Sequence, residues 1–92
     1  MGILTVRVSD SNEAINKIKK FMQLYRRFTP QRYVACLTPE GLVFIPLVSS
    51  RHSHTICIVL DVDAAEYSKI IEAVKKMGFE VVENCHYRPE PA

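Results

Sequence analysis

Three cysteines, Cys36, Cys57 and Cys85, carry the side chains best suited to covalent or metal chemistry, and each falls in a stretch that reads as a β-strand. No two of them form a Cys-x-x-Cys pair, so the spacing of a zinc site or a redox dithiol is absent. Three is an odd number, so complete pairing into disulfides needs a second chain. In a reducing cytosol such residues pack as small hydrophobes, whereas hyperthermophile cytosols are rich in disulfides. Few Asn and Gln residues occur (Asn12, Asn16, Asn84, Gln23, Gln31), a thermophile-like trait. Free buried thiols and at least one disulfide both stay open on these grounds.

A second group is basic. Lys17, Lys19, Lys20, Arg26 and Arg27 follow one another without an intervening acid, and Arg32 comes next. On a helix they occupy the side opposite its apolar stripe. Such a cluster can neutralise phosphates, which is the sequence-independent part of nucleic-acid binding. The plainer reading is a solvated helix face with cations near its C-terminal end. Residues 1–52 hold eight Lys/Arg against three Asp/Glu, net +5; residues 53–92 hold four against seven, net −3. A polarised chain of this kind attracts a polyanion on one side, or the acidic side of another copy.

The run Ser49-Ser50-Arg51-His52-Ser53-His54 concentrates donors that can hold an anion. His52 and His54 alone do not make a metal site. A structural zinc takes four protein ligands, and Cys36, Cys85 and His86 stand at no supporting spacing. Cys85 and His86 are adjacent, but consecutive strand residues point to opposite faces. No Gly-rich phosphate loop, paired acid and base or nucleophile elbow appears. We therefore expect no catalytic residues, no metal, no cofactor and no small-molecule substrate.

The elements that must position these groups follow from patterning. Ninety-two residues make one domain, expected over 1–88, with a disordered tail at 89–92. Apolar residues are 48% and charged residues 24%, which excludes a largely disordered chain. No stretch approaches the roughly 20 apolar residues of a membrane span. Met1 to Ser9 lacks the features of a signal peptide, so the expected address is the cytoplasm, with no membrane partner.

Ile3 to Val8 alternates as a half-buried strand. Asp10 and Glu13 form a capping box for a helix expected to run to Phe28, where Pro30 stops it. Arg32 to Thr38 and Leu42 to Val48 read as strands joined by a turn at Pro39-Glu40-Gly41, with Pro46 suiting an edge or a bulge. Thr55 to Val62 is the clearest strand. Asp63 and Glu66 cap a second helix, and Gly78 sits where it needs a left-handed terminator. Phe79 to about Tyr87 is the last strand.

The fold class is α+β, a two-layer sandwich with order β-α-β-β-β-α-β. A mixed sheet carries both helices on one face. The expected strand order is 5-1-4-3-2, in which Pro46 fits poorly because the third strand is central. Val62 to Glu83, an Asp-capped helix running through Met77-Gly78-Phe79 into a strand, resembles the closing unit of many ferredoxin-like domains. Through Ile18 to Phe28 and Tyr33 to Val48 the whole chain resembles small uncharacterised proteins of hyperthermophilic archaea. That resemblance implies a ferredoxin-like variant and no activity.

Two enzyme or RNA-binding versions of that architecture lack their residues. An RNA-recognition domain stacks bases on aromatics of its central strands, but Phe44 is the only aromatic in Gly41 to Ile45 and Ile3 to Val8 has none. An acylphosphatase needs a Gly-rich anion loop after the first strand, and Val8-Ser9-Asp10-Ser11 has no glycine.

In the order 5-1-4-3-2 no two cysteines are close enough to bridge. Strands two apart are separated by about 9.6 Å, and a disulfide needs Cα atoms within about 7 Å. Cys36 and Cys57 share the face away from the helices with Val34 and Val59. An open face of this kind is a docking surface for a second copy, cross-linked at an edge through Cys36 or Cys85. The expected function is a non-enzymatic association module, a homodimer. The alternative is nucleic-acid binding through Lys17, Lys19, Lys20, Arg26, Arg27 and Arg51.

Overall fold

Alternating apolar residues build the strands of this protein, and stripes at three- and four-residue steps build its two helices. The computed structural model describes residues 2–48, 51–83 and 85. Along the chain come β1 (Gly2–Val8), α1 (Ser11–Leu24), β2 (Tyr33–Thr38), β3 (Gly41–Pro46), β4 (His54–Leu60), α2 (Ala64–Lys76) and β5 (Glu80–Val82). The α+β class and the order β-α-β-β-β-α-β are as expected. The expected tail, 89–92, lies outside the described residues.

Both helices start as their capping residues dictate. Asp10 accepts the Glu13 backbone N–H at 2.7 Å, and Asp63 accepts that of Glu66 at 2.9 Å. The end of α2 is a Schellman motif. The N–H of Gly78 donates to Lys75 and that of Phe79 to Val74, with Gly78 at φ +102°. The end of α1 differs from expectation: it stops at Leu24, with Tyr25 as its extended cap, rather than at Phe28. A turn then carries Phe28 inward, its N–H donating to the Tyr25 carbonyl at 3.0 Å. Leaving the helix lets the Phe28 ring reach Tyr33, Phe44 and Phe79, with centroids 4.9, 5.1 and 5.4 Å away.

The five strands lie in the order β1-β4-β3-β2-β5. Only β3 runs against its neighbours; β1 is parallel to β4, and β2 to β5. The expected order is right for the first four strands and wrong for β5, which lies beside β2 instead of β1. Crossover handedness gives the reason. The β1-α1-β2 and β4-α2-β5 connections start from parallel strands and place their helices on the same face. Two right-handed crossovers then have to move the same way across the sheet. Pro46 is tolerated in the central β3 because it is the last residue of that strand, opposite Tyr33.

One core lies between the sheet and the helices. Val8, Ala35, Leu42, Phe44, Ile56 and Ile58 meet Ala14 and Ile18 of α1 and Ile70 and Val74 of α2 there, all buried. Phe44, the lone aromatic of its strand, is therefore sealed in the core and offers no stacking surface. Gly41, at φ +155°, lies so close to β4 that a Cβ would collide with the Ile58 carbonyl oxygen and stand 2.9 Å from the Leu60 nitrogen.

Candidate functional site

The face away from the helices is assembled by register. Val82, Cys36, Val43, Cys57 and Thr5 stand side by side across β5, β2, β3, β4 and β1. Val34 and Ile45 form a neighbouring pair. Cys36 and Val43 are only 1% and 4% exposed, although neither belongs to the core under the helices. The chain thus closes the centre of this face itself. Val34, Cys57 and Val59 remain half-buried, and Ile3 and Val82 exposed.

Cys85 explains part of that closure and corrects the expected separation of the cysteines. It lies beyond the end of β5 rather than within a strand, and its Cα is 5.6 Å from that of Cys36. Val82 already pairs with Cys36. Three further residues of extended chain would carry Cys85 about 10 Å along the sheet. The chain bends at Glu83, and Cys36 and Cys85 stand within disulfide distance in one molecule. Neither is placed to cross-link two copies while so paired. Cys57 is the free cysteine, and its thiol is pushed up in pKa by burial and by the nearby charge of Glu40. It is a poor nucleophile in that setting and a good apolar filler.

The expected basic set divides. Lys17, Lys19 and Lys20 lie on α1, the last two exposed. Arg26 and Arg27 lie past its end, in the turn that carries Phe28 inward. There they border a cleft of about 390 Å³ that also takes in His52 and His54. Arg51 precedes His52 in the chain. Ser49, Ser50 and His86, which entered the donor and metal readings, lie outside the described residues. Among the described residues no three His, Cys, Asp or Glu side chains gather to hold a metal.

The cleft is well supported. Phe28, Tyr33 and Ile56, all buried, form its floor. The Tyr33 hydroxyl donates to the His54 carbonyl at 3.0 Å and accepts the His54 N–H at 3.3 Å, which ties the start of β4 to β2. The rings of Tyr25 and His54 form one wall, with centroids 5.9 Å apart. The His54 Nδ1 is buried without a hydrogen-bond partner among the described residues. Among the described residues no carboxylate lines the cleft. Sequence reasoning found its cations but assigned Arg26 and Arg27 to a helix face; the early end of α1 moves them.

No family model, characterised protein or solved structure matches this chain. No helix among the described residues is long and apolar enough to cross a membrane.

Proposed function

We propose that this protein is a non-enzymatic association module that forms a homodimer through the uncovered part of its sheet. The observation that carries this reading is the set of apolar side chains left partly uncovered on the face opposite both helices. Val34, Cys57 and Val59 are half-buried there, and Ile3 is exposed at the β1 edge. Burying such side chains yields about 25 cal/mol per Å² of apolar area. The raised pKa of Cys57 keeps its thiol neutral, as an interface between copies requires. The Cys36–Cys85 bond forms within the chain, so the dimer is non-covalent.

Light scattering and sedimentation over a range of concentrations test this. The protein should run as a dimer with and without reductant. Val59→Lys and Val34→Lys should run as monomers with an unchanged circular dichroism spectrum. A wild-type monomer at high concentration would end the proposal.

A further inference from the structure

We propose that the cleft at the end of α1 binds a phosphorylated nucleoside, with the phosphate held by Arg26 and Arg27 and the base set against Tyr25 and His54. This inference does not depend on the dimer.

Three features point to that ligand class. The first is charge: Arg26, Arg27 and two imidazoles border the cleft, and among the described residues no carboxylate does. Each guanidinium group offers forked donors that match phosphate oxygens in pairs. The second is shape. A volume of about 390 Å³ falls at the small end of ligand pockets, room for one nucleotide rather than a folded segment of another protein. The third is the wall. The Tyr25 and His54 rings, inclined to each other at 51°, stand with exposed Leu24 beside the cations and offer a base one ring face to lie on. Stacking on such rings tolerates any base, since every base has a π-face.

The cleft is positioned before any ligand arrives. Its floor belongs to the aromatic cluster around Phe28, and the Tyr33 hydroxyl fixes the His54 backbone from both sides. The His54 ring is not engaged through Nδ1 by any described residue. The cations are exposed on the rim, so the phosphate stays near water while the base enters. A free mononucleotide and the phosphorylated end of a single strand present the same chemistry to this site.

The test is a nuclear magnetic resonance titration of the full chain with adenosine 5′-monophosphate, adenosine, and a short single-stranded RNA with and without a terminal phosphate. Adenosine monophosphate should shift amides of residues 24–33 and 51–56, and adenosine should bind about tenfold or more weakly. Arg26→Glu with Arg27→Glu should weaken the nucleotide by about tenfold or more, whereas Lys19→Glu with Lys20→Glu should leave it within about twofold. The terminal phosphate should strengthen the RNA at the same amides if strand ends are recognised; RNA that binds no better than the free nucleotide assigns the site to mononucleotides. The proposal is overturned if saturating adenosine monophosphate moves none of these amides. It is equally overturned if the two double variants lose binding to the same extent, because diffuse charge would then explain it.

Discussion

The Glu66 carboxylate, in the first turn of α2, accepts the backbone N–H of Ser11, the first residue of α1, at 2.7 Å across 55 positions of sequence. One acid thus serves two helix starts. Its own N–H is held by Asp63, and its side chain meets one of the unpaired donors of the other helix. A capping box would have turned that carboxylate back to Asp63. Glu13 does turn back along its own segment, to the Ser9 N–H and hydroxyl, both at 3.4 Å.

Hydrogen bonding from Ser11, side chain and backbone, lowers the Glu66 pKa below the ordinary glutamate range. A depressed folded pKa means that the unfolded chain takes up this proton first. The contact therefore stabilises fully above the ordinary glutamate pKa, and its contribution is lost as pH falls through the folded value. Glu66→Gln should be less stable than the parent at neutral pH, and the gap should close on acidification. Urea melts at several pH values between neutrality and strong acid check this; a constant gap would contradict it.

Gly41 tolerates no side chain. Any Cβ collides with the backbone of β4 at Ile58, and neither strand is free to yield in the middle of the sheet. Gly41→Ala should cost roughly 3 kcal/mol or more. Gly2→Ala is the control, because its Cβ would meet only the His54 ring at an ordinary 3.7 Å. Chemical denaturation of both variants tests the contrast.

Cys36 and Cys85 close a loop across 49 positions. Intact mass without reductant should be lower by two hydrogens than with it. Alkylation of the unfolded, unreduced chain should label Cys57 alone. Cys85→Ser should lower stability by about 2–4 kcal/mol under oxidising conditions and far less under reducing ones. Three labelled cysteines in the unreduced protein would show that the pair is not joined.

The Phe28 ring is wholly buried against Tyr33, Phe44 and Phe79 although it lies outside any helix or strand. Phe28→Ala should cost about 3–5 kcal/mol. It should also loosen the floor of the cleft, which amide exchange at Tyr33 and Ile56 would report as faster opening. Phe28→Leu should recover most of the loss.

Much of the fold is local and was legible along the chain. Capping at Asp10 and Asp63, the Gly78 terminator and the alternation of β1 and β4 depend on neighbours within four or five residues. Their physics is complete in a short window of sequence. The side of the sheet on which β5 docks is not local. It follows from two crossovers having the same hand and the same face, a constraint that acts on the whole sheet. Everything that depends on that placement was hidden with it: the approach of Cys85 to Cys36, the closed centre of the outer face and the singling out of Cys57. The cleft was hidden for a related reason. Composition revealed its arginines and histidines, but only the turn that buries Phe28 brings Arg26 and Arg27 to His52 and His54. Residue types and spacing determined which groups this protein owns. Long-range packing, which repays the loss of chain entropy only once distant strands meet, decided which of them stand together.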